Sequence, residues 1–281
     1  MASKIRFIGE QVIPENLAFE NTIVGGLSSI DYANGKYYCI SDDGKKPTRF
    51  YELDLTFDKS SFSKAKVTKV IPILNEKTGF DPEALRFDTH SGNFIWTSEG
   101  SVENGVNPSI FEINSKGDSI REIPLPKMFQ VSDSSNYGVR HNGTFEGLSL
   151  SQNPNYFWLA MELPLKQDGE EPKLTQTNSP VRISKIDHKT GEIISQFAYK
   201  LDNIAKDSKP SGKFIVNGLP EILSINDTTF FFVERAYSSG HEDGGNSVKL
   251  YKVDVSAASD ISKIESLQEA NYKAAKKNFN S

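Results

Sequence analysis

Three segments of the sequence share one plan, and a repeated plan leaves few folds open. Asp81-Pro82-Glu83-Ala84-Leu85-Arg86 runs through a turn to Trp96-Thr97-Ser98-Glu99. Thr144-Phe145-Glu146-Gly147-Leu148 leads to Leu159-Ala160-Met161-Glu162, and Leu219-Pro220-Glu221-Ile222-Leu223 leads to Phe232-Val233-Glu234-Arg235. In an antiparallel hairpin, facing residues have position numbers with a constant sum, so the midpoint of each acid pair must be a turn. For Glu83 and Glu99 the midpoint is position 91, inside Thr89-His90-Ser91-Gly92-Asn93; for Glu146 and Glu162 it is Pro154; for Glu221 and Glu234 it falls between Asp227 and Thr228. All three are turn-forming stretches between apolar runs. An earlier copy turns at Ala33-Asn34-Gly35, with Gly26 where the others have glutamate and Asp42 as the return acid.

Each hairpin is followed by further strands with period-2 alternation, such as Arg49 to Leu55 and Lys66 to Ile73 after the first, and Ser109 to Asn114 and Ser119 to Ile123 after the second. The marker leucines Leu27, Leu85, Leu148 and Leu223 are 58, 63 and 75 residues apart. Repeated four-stranded meanders of this length predict an all-β β-propeller, a single domain over residues 1–281, whose inner strands line a channel. Four blades are visible. Ile5 to Ile13 reads as a strand with no neighbour in sequence, and after Val255 a Lys-rich tail brings no fifth hairpin. The expectation is a propeller truncated at its C-terminal closing repeat, with five or six blades in the closed form.

Composition agrees with strands and turns: 18 Phe, 10 Tyr, 13 Pro and 20 Gly in 281 residues. A net charge of −5, with no basic stripe, excludes a nucleic-acid binder. The only cysteine, Cys39, lies in a Tyr-Tyr-Cys-Ile strand and reads as core; there is no thiolate zinc cluster and no intramolecular disulfide. The amino terminus has no apolar signal region, and no run is long enough to span a membrane.

These words resemble the bacterial phytase-like domain family, described as the esterase-like activity of phytase. They are Val24-Gly25-Gly26-Leu27-Ser28 with Ser41-Asp42-Asp43; Asp81 to Arg86 with Ser98-Glu99-Gly100; Asn142 to Leu148; and Asn217 to Leu223 with Glu234-Arg235. They stand in the family's order over nearly the whole chain. The chain departs from the pattern in lacking a further E-G-M hairpin with a Ser-Asp-Asn segment, and in starting Met1-Ala2-Ser3 where an export signal is usual. The resemblance implies ester hydrolysis and a periplasmic, secreted or lipoprotein-anchored location.

If the hairpin ends converge, Glu83, Glu99, Glu146, Glu162, Glu221, Glu234 and Asp42 or Asp43 form a ring of carboxylates. Oxygen ligands without His or Cys select Ca²⁺ or Mg²⁺ over zinc. The plainer reading is that these acids cap backbone amides or pair with Arg86, Arg140 and Arg235. For catalysis the acids serve as base and acid, or hold a metal that activates water; Arg86, Arg140, His141, Lys45 and Arg235 are the groups that could neutralise an anionic ester. A serine elbow is absent, since Gly26-Leu27-Ser28-Ser29-Ile30 lacks the closing glycine, and Walker A, paired-Cys and dinucleotide patterns are absent too. His90, His188 and His241 fall in turns or loops, which leaves only His141 near a key glutamate.

The expectation is therefore a hydrolase acting on an ester or phosphate ester at an acidic mouth. Glu83, Glu146 and Glu221 are assigned as ligands or base, Glu99, Glu162 and Glu234 as their partners, and Arg86 and Arg140 as anion-binding groups. The alternative is a non-catalytic propeller that binds a small-molecule ligand or protein partner through the same acids. A monomer is expected.

Overall fold

The structure, a computed structural model, describes residues 5–44, 47–74 and 79–279, the side chain of Phe279 excepted. It is a β-propeller built from antiparallel four-stranded blades, four of them among the described residues. The chain forms two compact units, an N-terminal one (Ile5–Ser101 and Pro108–Pro124) and a C-terminal one (Val102–Asn107 and Leu125–Ser281).

In the N-terminal unit a short ribbon, β1 (Ala18–Phe19) and β2 (Thr22–Ile23), precedes the first blade. That blade has β3 (Asp31–Ala33), β4 (Lys36–Ile40), β5 (Arg49–Phe57) and β6 (Phe62–Pro72) in sequential order. The second blade has β7 (Pro82–Asp88), β8 (Asn93–Ser98), β9 (Ser109–Ile113) and β10 (Ser119–Ile123). Its middle strands β8 and β9 are buried along nearly their whole length because both faces are covered, whereas β10 is mostly exposed. Ile40, Phe50, Ile71, Leu85, Phe94, Trp96 and Phe111 form one buried cluster across the two blades. Within it the rings of Trp96 and Phe111 stack with centroids 4.7 Å apart, and such pairs add stabilisation beyond their buried area.

The C-terminal unit holds the third blade, β11 (Phe145–Leu150), β12 (Tyr156–Met161), β13 (Pro180–Asp187) and β14 (Ile193–Lys200). Its other blade is β15 (Ile215–Asn226), β16 (Thr229–Ser238), β17 (Asn246–Asp254) and β18 (Lys276–Phe279). Trp158, Phe197, Phe230 and Phe232 fill the space between these blades, Trp158 meeting Phe230 edge-on at 5.0 Å. Inside the third blade the fully buried Arg182 holds Asp168 through two hydrogen bonds of 2.6 and 2.8 Å and also reaches Gln196 and the Ile264 carbonyl. That ties the stretch after the last long strand to the blade.

Two expectations are corrected. The Lys-rich tail is no remainder: β18 pairs with β17 from Tyr251↔Phe279 to Asp254↔Lys276 and supplies the fourth blade's outer strand. Alternation gave no sign of it, because a short edge strand needs no apolar face. Ile5 to Ile13 is not a strand; it lies beside β6, where Gln11 Nε2 donates to the Phe62 carbonyl at 2.8 Å. Its apolar residues Ile5, Phe7 and Val12 are exposed, so the weak alternation marks no buried face. No fifth four-stranded sheet is present among the described residues.

Candidate active site

The hairpin turns fall where the midpoints place them, but the acids do not face one another. Each inner hairpin carries a register shift beside its first glutamate, between Pro82 and Leu85, between Phe145 and Gly147, and between Gly218 and Glu221. The return acid therefore stands opposite the residue two places before that glutamate: Glu99 N–H donates to the Asp81 carbonyl at 2.8 Å, and Glu162 N–H to the Thr144 carbonyl at 2.7 Å. Bulges of this kind re-aim side chains, and here one lies next to the first glutamate in each of three blades. In the first copy Asp42 N–H donates to the Gly26 carbonyl at 2.7 Å, the pairing the midpoint at Asn34 predicts. Gly26 has φ +55, and a Cβ there would lie 2.1 Å from Asp42 Oδ1, so this glycine makes room for the acid rather than replacing one.

In the N-terminal unit the shift brings a third acid into play. One carboxylate oxygen from each of Asp81, Glu83 and Glu99 lies within 4.8 Å of the others. Ser28 Oγ donates to Glu83 Oε2, so Ser28 orients a carboxylate. Three carboxyl groups this close offer a cation one shared set of oxygens. The donor set, all oxygen, fits a hard cation. Asp81 was not assigned from the sequence; its place two residues before Glu83, on the same side of an extended chain, was the available signal. Asp43 is drawn away by Arg49, whose guanidinium holds it at 2.5 and 3.1 Å.

In the C-terminal unit His141, Asn142, Glu146, Glu162, Arg235 and Tyr237 line a cavity of about 490 Å³, within the range of small-molecule sites. Glu162, 5% exposed, lies against Gly218: a Cβ on Gly218 would sit 2.4 Å from Glu162 Oε1 and 2.5 Å from its Cγ. Glycine at 218 lets the β15 backbone carry this carboxylate.

Other assigned residues have different company. Glu221 Oε1 accepts the N–H of Ile222 at 2.8 Å, the plainer role foreseen for an acid at a strand end. Glu234, 1% exposed, accepts from Tyr199 OH at 2.5 Å, Lys277 Nζ at 2.8 Å, Asp202 N–H at 2.9 Å and Asn217 Nδ2 at 3.0 Å. Lys277 also bonds Asp202 at 2.5 Å and lies over the rings of Tyr199 and Tyr251. Burial alone would raise Asp202, but hydrogen bonds from Lys249, Lys277 and Tyr251 outweigh it and hold the carboxyl down at about 2. Burial and the neighbouring acids push the Tyr199 and Tyr251 hydroxyls up. This network joins β14, β16, β17 and β18, and nothing in the local sequence links Lys277 to Glu234.

Arg86 is 6% exposed, and its Nη1 donates to the Leu85 carbonyl at 2.7 Å; it also tempers the Cys39 thiol, which burial pushes up to about 12. Arg140 spends its nitrogens on the Pro164 carbonyl (2.9 Å), the Gly169 carbonyl (2.8 Å) and Glu171 (3.0 Å). His141 lies 3.8 Å from Glu103, and Lys45 is outside the described residues.

Residues 22–280 match the family described as Phytase-like: Esterase-like activity of phytase. The chain belongs to this family. The match runs over all four blades of the phytase-like chain, and with the fold it supports a hydrolase-like propeller. No curated protein sequence matches it. Similar solved structures include the Dos1 propeller (10% identity, TM-score 0.36, 83% of this chain and 65% of that one). Others are the Cellvibrio cellulosa alpha-L-arabinanase (15%, 0.41, 80% and 72%) and a glucose dehydrogenase (9%, 0.31, 77% and 78%). No helix among the described residues of the phytase-like chain is long and apolar enough to cross a membrane.

Proposed function

We propose that the chain hydrolyses an ester or phosphate ester with the help of a hard divalent cation, Ca²⁺ or Mg²⁺. The observation that carries the reading is the group Asp81, Glu83 and Glu99, whose oxygens lie within 4.8 Å of one another and include no nitrogen or sulfur ligand. Asp81, Glu83 and Glu99 would hold the cation. When bound, such an ion neutralises charge developing on a substrate oxygen and makes a bound water more acidic.

The remaining chemistry is assigned to side chains. Ser28 fixes one oxygen of Glu83 and with it the rotamer of that ligand. Within the C-terminal unit, Glu146, in the wall of a cavity large enough for a small ester, is assigned as a general base and Glu162, held on Gly218, as its partner. Glu221 and Glu234 are assigned to the structural roles their hydrogen bonds give them. A monomeric, exported protein is part of the same proposal, checked by light scattering and by fractionation of the producing cells.

The test is calorimetric titration with CaCl₂ and MgCl₂, alongside release of nitrophenol from p-nitrophenyl acetate and p-nitrophenyl phosphate. Glu83→Gln is expected to weaken cation binding at least tenfold and to abolish turnover. Glu146→Gln is expected to keep the binding heat while slowing turnover by about 10²–10⁴. Unchanged binding and turnover in Glu83→Gln would overturn the reading. Cation uptake without turnover of either ester would instead favour the second reading, a propeller that binds its ligand without transforming it.

A further inference from the structure

Of the cations the sequence offers to an anionic substrate, Arg86 is buried on a carbonyl, Arg140 is consumed by Pro164, Gly169 and Glu171 of the connection after β12, and His141 is near Glu103. Arg235 differs: it is exposed, lines the cavity that holds Glu146 and Glu162, and its guanidinium makes no hydrogen bond or ion pair among the described residues. On β16 it stands opposite Gly218, the glycine against which Glu162 lies, and next to Val248 of β17. Two places along the same face is Tyr237, whose ring lies 6.0 Å from that of Phe214 at an interplanar angle of 41°. Phe214 is 65% exposed and lines the same cavity. Phe214 and Arg235 thus offer an apolar ring and a guanidinium to one cavity, and a partner that is apolar on one side and anionic on the other gains from both.

We propose that Arg235 determines specificity in this cavity, selecting a substrate in which an anionic group, carboxylate or phosphate, is attached to a flat ring seated on Phe214 and Tyr237. This rests on the hydrolase reading for its consequence, because Glu146 and Glu162 line the same cavity and an anion held on Arg235 fixes how the rest of the substrate lies in it. Arg235 is a positioning residue. Its planar fork suits two oxygens of one anion, which a lysine cannot match.

The test measures binding rather than turnover, with EDTA present, so that failure of the hydrolase reading leaves its result intact. Benzoate, phenylphosphonate, benzamide and acetate are titrated by ligand-observed NMR into the full chain and into Arg235→Met, Arg235→Lys and Phe214→Ala. Wild type is expected to bind benzoate or phenylphosphonate at least tenfold more tightly than benzamide or acetate, the better of the two naming the anion. Arg235→Met should erase the preference for the anionic ring over benzamide, Arg235→Lys should restore part of it, and Phe214→Ala should weaken benzoate and benzamide alike. Equal affinity of wild type and Arg235→Met for both anionic probes, or no binding of either probe by wild type, would overturn the proposal.

Discussion

At the scale of single residues, the glutamates of the repeat differ in what lies beside them. Glu162 keeps its place because residue 218 has no Cβ, and Glu234 keeps its own because Tyr199, Asn217 and Lys277 converge on it. Gly218→Ala tests the first statement. The added methyl would meet a flexible carboxylate rather than backbone, so the cost in stability should be modest, about 1–3 kcal/mol. Turnover should fall further, by roughly 10–100-fold, because Glu162 must swing away from Glu146; urea melts and the nitrophenyl ester assay on one preparation separate the two effects. The candidate acids Glu83, Glu99, Glu146 and Glu162 were legible in the sequence because the repeat singles them out from 37 acidic residues. Asp81 is marked only by its place two residues before Glu83, and Asp202 by nothing, since its partners Lys249, Tyr251 and Lys277 are distant in the chain.

At the scale of elements, β18 shows how a four-residue strand can matter more than its length suggests. It covers the edge of β17, which would otherwise present unpaired backbone groups, and it delivers Lys277 to a carboxylate that is almost entirely buried. Removing one partner of such a pair leaves a desolvated charge behind. Lys277→Met is therefore expected to destabilise the protein by about 3 kcal/mol in urea denaturation, and Lys277→Met with Glu234→Gln to recover part of that loss. Full additivity of the two substitutions would show that the pair is not coupled. The hairpins β7–β8, β11–β12 and β15–β16 were legible because their alternation and turns agree. Their bulges were not, since an extra residue in one strand leaves the hydrophobic pattern intact on either side.

At the scale of the whole molecule, the buried and half-buried charges set how stability responds to pH. The folded Asp202 carboxyl sits at about 2, below the ordinary value near 3.8, so the unfolded chain binds the proton more readily. The stability it contributes is complete above about pH 4 and is lost as pH falls toward 2, roughly 1 kcal/mol once solvent screening is allowed for. Tyr199 and Tyr251 act in the opposite direction: their hydroxyls are raised in the fold, so stability should fall as pH climbs above about 10. Urea midpoints measured from pH 2 to 11 should fall at both ends, and Asp202→Asn should flatten the acid limb. By itself the sequence determined the fold class, the blade repeat and which acids recur in it, because period-2 alternation, turn residues and recurrence are local or periodic signals. Which acids come together, which line a cavity, which arginine faces it, and that the Lys-rich tail supplies a strand were decided only by tertiary structure. Those depend on bulges that shift register and on contacts between residues tens of positions apart, and neither leaves a mark on the local pattern.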